Sequence, residues 1–192
     1  MSENEGKRKR TKRCLTQALV ELCGEKPYYQ VTISDICERA GTYRSTFYRY
    51  FDTKDEMLRE VEREYIADTR RLTPSVRNFR PDASPEEYAH CREELKKDME
   101  YHYEHRELCK FLLSPGGDLY FYEKMIESII EAARENDRIR NIPSDAMREY
   151  VQNFFATGFI ASVHDWLNKG DCTSEQIADS LLKMMKQLLC ME

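Results

Sequence analysis

The chain has 192 residues, 41% of them hydrophobic and 34% charged, with only 7 Gly, 6 Pro and a net charge of −5. It is long enough to bury a core without disulfide staples, and no run approaches the ~20 apolar residues that span a bilayer. The scarcity of Gly and Pro favours long helices over strands and turns.

Residues 1–7 are polar, which predicts an unstructured lead, and no apolar run follows them as in a signal peptide. From about Lys9 to Glu25, Leu15, Ala18, Leu19 and Leu22 recur at helical spacing, and Gly24 and Pro27 end that helix. Thr32-x-x-Asp35 reads as a capping box opening a short helix with Ile36 and Ala40 on its inner face. Gly41 stops it, because glycine adopts the left-handed conformation at a helix C-terminus without strain. A second short helix is expected from about Tyr43 to Tyr50, with Phe47 and Phe51 one turn apart and facing the core. Asp52-Thr53-Lys54-Asp55-Glu56 starts a long helix through Met57, Leu58, Val61, Tyr65 and Leu72. Residues 73–85, with Pro74, Pro81 and Pro85, read as a loop joining head to body.

Ser84-Pro85-Glu86-Glu87 begins the next helix, which runs towards His105, and a shorter one covers Glu107 to Leu113 before Ser114-Pro115-Gly116-Gly117. Asp118 caps a helix with Tyr122, Met125, Ile126, Ile129, Ile130 and Ala133 on its apolar face. Pro143 starts another, carrying Met147, Val151, Phe154, Phe155, Phe159, Val163 and Trp166 to Gly170. A Thr173/Gln176 capping box opens the last, lined by Ile177, Leu181, Met184, Met185 and Leu188. No strand pattern competes, so the expected fold is all-α, with a head over 8–54 and a larger helical body over 55–192.

Charge is unevenly spread. Residues 1–54 hold 11 Lys/Arg against 7 Asp/Glu, a net of +4, and the remainder holds 19 against 28, a net of −9. A basic head on an acidic body points the head at a polyanion. The seven cysteines, Cys14, Cys23, Cys37, Cys91, Cys109, Cys172 and Cys190, are odd in number and contain no C-x-x-C pair. They read as reduced thiols of a cytoplasmic protein. The sharper alternative, a redox sensor, requires an exposed thiol of low pKa.

Two short helices across a glycine turn over 32–51 make a helix-turn-helix pattern, whose first helix would cross the DNA backbone and whose second would enter the major groove. An αα-hairpin alone is a weak signal. Here the second helix opens on Thr42, Tyr43, Arg44, Ser45 and Thr46, all able to hydrogen-bond, and the basic tract KRKRTKR lies upstream at 7–13. The stretch TISDICERAGTYRSTFYRYFDTKDEML resembles the DNA-binding head of the TetR-like (tetracycline-repressor-type) bacterial transcription regulators, over about residues 9–60. It departs from that pattern at Thr42, Tyr43, Ser45 and Phe47, three of them on the reading surface.

The resemblance implies a DNA-binding role residue by residue. Arg44 would donate a bidentate pair to guanine, and Ser45 and Thr46 would reach base edges or phosphates. Tyr48 and Lys54 match positions that the family uses as phosphate clamps. Thr32 and Ser34 lie where a helix N-terminus favours a phosphate, and Tyr43 and Tyr50 are further contacts. The blander reading makes 7–13 a solubilising tail, Arg49 a solvated charge and Tyr48 a packing residue.

A body of this family usually dimerises and holds a small molecule. The expected interface comes from the last two helices, with Phe154, Phe159, Trp166, Leu181 and Met185. The expected effector pocket is lined by Tyr101, Phe111, Tyr122, Met125 and Phe155, although an aromatic stripe at helical spacing is more often core. His102 and His105 lie three apart, but no third ligand stands at a clear spacing, so neither a metal nor another cofactor is expected. No nucleotide loop, H-E-x-x-H or nucleophile motif argues for an enzyme.

The sequence therefore predicts a homodimeric repressor, released from a palindromic double-stranded operator by a small-molecule effector, without a membrane partner. The competing reading is an all-helical protein-interaction module whose hairpin is only structural. A steep salt dependence of duplex binding separates the two.

Overall fold

A computed structural model describes residues 3–74, 76, 79–80, 82–114, 118, 120–134 and 145–189. Among them are nine α-helices and no strand. They divide into two compact units, Met1–Tyr65 with Phe111–Phe121, and Ile66–Lys110 with Tyr122–Glu192.

The first unit begins with α1 (Glu3–Glu25). The helix reaches back into the stretch expected to be unstructured, because Glu, Lys and Arg are good helix formers even without an apolar stripe. Leu15, Ala18, Leu19 and Leu22 are buried, as their spacing predicts. A 3-10 turn over Tyr28–Gln30 leads to α2 (Ile33–Arg39). There the Thr32 hydroxyl accepts from the Asp35 N–H while the Asp35 carboxylate accepts from the Thr32 N–H at 2.9 Å.

The turn after α2 closes in the Schellman pattern: Thr42 N–H donates to Cys37 C=O at 2.9 Å and Gly41 N–H to Glu38 C=O at 3.1 Å. Gly41 sits at φ +62°, in the region where a Cβ is strained. Next come α3 (Arg44–Phe47) and α4 (Lys54–Leu72). The start of α4 is capped by Thr53, whose hydroxyl accepts from Glu56 N–H, while Glu56 accepts from Asp52 N–H at 2.7 Å.

α3 is shorter than its apolar spacing suggests. After Phe47, Arg49 N–H bonds to Thr46 C=O and Tyr50 N–H to Phe47 C=O, so three-residue turns replace the regular helix. Phe47 and Phe51 are both buried, with ring centroids 5.7 Å apart. The same unit also buries Ile36, Met57, Leu58 and Val61. Ion pairs reinforce the packing: Lys12 of α1 with Glu60 and Glu64 of α4, and Arg39 of α2 with Glu21 and Glu25 of α1.

The second unit holds α5 (Pro85–Glu104), α6 (Arg106–Leu112, whose last two residues belong to the first unit), α7 (Phe121–Arg134, whose first residue does too), α8 (Asp145–Lys169) and α9 (Ser174–Leu189). The unit boundary lies inside α4, and the 73–85 stretch read as a joining loop belongs to the second unit. Capping boxes open α5 at Ser84/Glu87 and α9 at Thr173/Gln176, and Gly170 ends α8 at φ +64°. Pro81, Pro115, Gly116, Gly117, Pro143 and Cys190, and the side chains of Ala133, Met147 and Leu188, lie outside the described residues.

Helix α5 packs on α9, and Arg92 joins them through Asp179 at 2.6 Å and Glu175 at 2.8 Å. The buried stripe of α8 is Gln152, Ala156, Ile160, Val163, Trp166 and Leu167.

Candidate nucleic-acid interface

Two features of the first unit turn α3 outward. Phe47 anchors it from below and the Gly41 turn fixes its entry. What remains on the surface is polar or aromatic: Tyr43 is 81% exposed, Arg44, Ser45, Tyr48 and Arg49 are exposed, and Thr46 and Tyr50 are half-buried. Tyr43 is the N-cap of α3 with extended backbone, and its carbonyl accepts from Thr46 N–H at 2.8 Å. Its ring therefore projects without capping the helix.

The Arg44 guanidinium donates to the Tyr48 hydroxyl at 3.3 Å, one turn along. This bond leaves most of the guanidinium donors open for a base edge or a phosphate. At the start of α2, Thr32 and Ser34 are exposed. The Thr32 hydroxyl oxygen already serves the cap.

Asp35 fixes that corner, since it also accepts from Lys26 Nζ at 2.6 Å. Lys26 first, then the Thr32 N–H, holds the Asp35 carboxyl down to about 2. A carboxyl depressed on folding contributes stability above its unfolded value, and that contribution is lost as pH falls through the folded one. The melting-temperature gap between wild type and Asp35→Asn is therefore expected to be full at pH 6 and to close between about pH 4 and 2. A gap that persists at pH 2 would remove the Asp35 charge from the account.

Lys54 differs from its expected surroundings. Its Nζ donates to Tyr28 C=O and Val31 C=O, both at 2.8 Å, and lies 4.3 Å from the centroid of the Tyr28 ring. In the basic tract, Lys12 is engaged by Glu60 and Glu64, and the Arg8 guanidinium lies 6.0 Å from the Tyr50 ring centroid. Lys7, Lys9, Arg10 and Arg13 are exposed on α1. Sequence reading passed over Tyr29, 78% exposed just ahead of α2, because one aromatic in a connector carries no periodic signal.

The residues expected to line a pocket do not all fall in one unit. Phe111 belongs to the first, where its ring centroid lies 6.2 Å from that of Tyr28. Tyr101, Tyr122, Met125 and Phe155 belong to the second. There Tyr101 donates to Asp68 at 3.1 Å and stacks on His105, while Met125 is buried.

His102 and His105 do not converge. His102 is buried with Nε2 3.5 Å from Asp98, and His105 Nδ1 lies 2.9 Å from the Tyr101 carbonyl. Burial opposes charge on His102, but Asp98 and then Cys109 outweigh it and carry the imidazole up to about 10. Among the described residues no group of three or more His, Cys, Asp or Glu is arranged to hold a metal. Burial also pushes the Cys23 and Cys91 thiols up to about 11, away from a reactive thiolate.

The residues expected at a dimer interface separate into two sets. Trp166, Leu181 and Met185 are buried inside the second unit, with little side-chain surface left for a partner, and the Trp166 indole donates to Cys172 C=O. Phe154 is 70% exposed on α8, beside exposed Tyr150 and Val151 and half-buried Phe155 and Phe159.

Comparison with known proteins matches two separate parts of the chain. Residues 15–61 match the bacterial regulatory proteins of the tetR family, and residues 90–187 match a transcriptional regulator C-terminal region. The chain is 34% identical over 55 residues to the HTH-type transcriptional regulator YvdT of Bacillus subtilis, a match covering 29% of this chain and 28% of that one. It is 35% identical over 48 residues to DhaS of Lactococcus lactis, the HTH-type activator of the dhaKLM operon, covering 25% and 26%. These matches span about a quarter of the curated relatives.

In fold, the chain is similar to a solved dihydroxyacetone kinase operon activator DhaS (TM-score 0.62, 20% identity, 95% and 98% of the two chains covered). It is also similar to a TetR transcriptional regulator from Streptococcus agalactiae (TM-score 0.61, 22% identity, 94% and 96% covered).

Proposed function

We propose that this chain, which belongs to the tetR family of bacterial regulatory proteins, acts as a homodimeric, sequence-specific DNA-binding transcription regulator. That family consists of regulators rather than enzymes. The observation that carries the reading is the exposed run Tyr43, Arg44, Ser45 and Tyr48, held outward by buried Phe47 and the Gly41 turn.

In this reading α3 enters a major groove with Arg44 as its main base contact, and Thr46, Tyr48 and Tyr50 add contacts along the strand. Thr32 and Ser34 face the backbone beside it. Two copies reading half-sites one helical turn apart, ~34–36 Å, multiply the specificity of one short helix. The second copy docks on the α8 face around Phe154 and Phe159. Among the described residues no helix is long and apolar enough to cross a membrane, and binding an operator would put the protein's work in the cytoplasm.

The control we propose is repression relieved by a small molecule held in the second unit, with Tyr101, Tyr122, Met125 and Phe155 supplying apolar and hydroxyl contacts. A coupling of roughly 1–3 kcal/mol would change operator affinity about 5–150-fold, and DNA would weaken the effector equally. The name of the relative DhaS favours a second reading of the output, an activator with the same DNA contacts.

Selection of bound duplexes from a random pool tests the core of this reading. A palindrome with half-sites one turn apart is expected, and failure to enrich any sequence would sink it. Against the selected site, Arg44→Ala is expected to cost roughly 1–3 kcal/mol and to relax base choice at one position per half-site. Equal loss at every position would move Arg44 to a phosphate.

A further inference from the structure

Lys54 occupies a place where electrostatics alone would not put a cation. It is the first residue of α4, at the positive end of the helix dipole, followed by Asp55 and Glu56 as the dipole prefers. A lysine there with a free ammonium would suit a phosphate. The ammonium, however, has three donors, and three carbonyls of the α1–α2 connector surround it: Tyr28 and Val31 at 2.8 Å and Tyr29 at 3.5 Å. The Tyr28 ring faces it at 4.3 Å, close enough for a cation–π contact. The Tyr28 hydroxyl in turn donates to Asp55 at 2.6 Å. Residues 54 and 55 thus grip the connector from both sides.

The gripped segment sets where α2 begins. Val31 is buried and the next residue, Thr32, is the N-cap of α2. From there the chain has only the seven residues of α2 and the Gly41 turn before α3. A shift of the connector therefore passes directly to α3.

We propose that Lys54 is a positioning residue, which fixes the placement of the reading helix by tying the Tyr28–Val31 carbonyls to the start of α4, and that it is not itself a phosphate contact. The proposal rests on the DNA-binding reading of the first unit.

Two measurements test it. The first uses the unaltered chain: its amines are acylated briefly, with and without the selected operator, and each lysine is followed by mass spectrometry. Lys54 is expected to label slowly compared with exposed Lys7 and Lys9 in the DNA-free chain, and to be unaffected by the operator. Fast labelling without DNA and protection with it would overturn the proposal. The second uses Lys54→Met, comparing operator with unrelated duplex across salt concentrations. The ratio of specific to non-specific affinity is expected to fall about tenfold, the size of one lost base contact, with the non-specific salt slope unchanged. A slope reduced by about 0.9 per protomer, the signature of one phosphate per copy no longer neutralised, or an unchanged ratio in the folded variant, would each overturn it. If the wild-type chain binds no duplex, the DNA-binding reading fails on its own, and labelling of the DNA-free chain still decides how Lys54 is bonded.

Discussion

Phe47→Ala is expected to destabilise the first unit by about 3–5 kcal/mol and to abolish operator binding. The helix it belongs to has four residues, and Phe47 is the buried one among them. A single turn has no stability of its own in water, because nucleation fixes several residues for one hydrogen bond. Phe47 is fully buried, its ring 5.7 Å from those of both Phe51 and Tyr48. Removing it opens a cavity where α3 is fastened, and the predicted loss is a large share of the ~5–15 kcal/mol that stabilises a typical domain. Thermal melting by circular dichroism, together with operator titration, checks this. Phe47→Leu, which keeps most of the volume, is expected to bind DNA with a lower melting temperature. If Phe47→Ala melts and binds like the wild type, something other than this ring holds α3.

Phe154→Glu is expected to convert the proposed dimer to a monomer while leaving each protomer folded. Val151, Phe154, Phe155 and Phe159 follow i, i+3, i+4, i+8 spacing, so they share one face of α8, and Gly158 and Ser162 lie on the same face. A Cβ at Gly158 would meet nothing within 4 Å in the protomer, so close approach by a second chain is open there. Large aromatics at an interface centre typically carry 2 kcal/mol or more, and an unpaired carboxylate placed there adds a desolvation cost. Sedimentation should show the wild type as a dimer and the variant as a monomer. The wild-type melting temperature should rise with protein concentration and that of the variant should not. A variant that remains dimeric would move the interface off this face of α8.

The sequence disclosed features in which cause and effect lie within one turn. Thr32/Asp35, Ser84/Glu87 and Thr173/Gln176 each cap across three residues, and Gly41 and Gly170 take the positive φ that their places after helical patterns imply. It disclosed less where the deciding partner is distant or where two explanations share one pattern. α8 is apolar on more than one side, so periodicity could not say which aromatics meet the core. Gln152 lies on the buried face and Phe154 on the exposed one. Lys54 finds its carbonyls more than twenty residues upstream, a juxtaposition that no local rule encodes. The end of α3 is hidden for a related reason. Tyr48, Arg49 and Tyr50 do not oppose a helix, and the chain tightens there as buried Phe51 follows.

The helical state of the N-terminal residues limits how far they can extend. From Glu3 to Arg13 a helix rises about 1.5 Å per residue, or roughly 15 Å in all, whereas an extended chain would cover about 33 Å. A flexible arm of the same composition could thread along a groove and wrap towards the far face of a duplex. A rigid rod anchored by Leu15, Leu19 and Leu22 cannot. Its charges also point in different directions, about 100° apart from one residue to the next, so the six basic side chains of 7–13 cannot all meet one polyanion at once. On the DNA-binding reading proposed above, the tract would serve as a short, fixed flank to α3, and its footprint on DNA is expected to end within a few base pairs of the half-site.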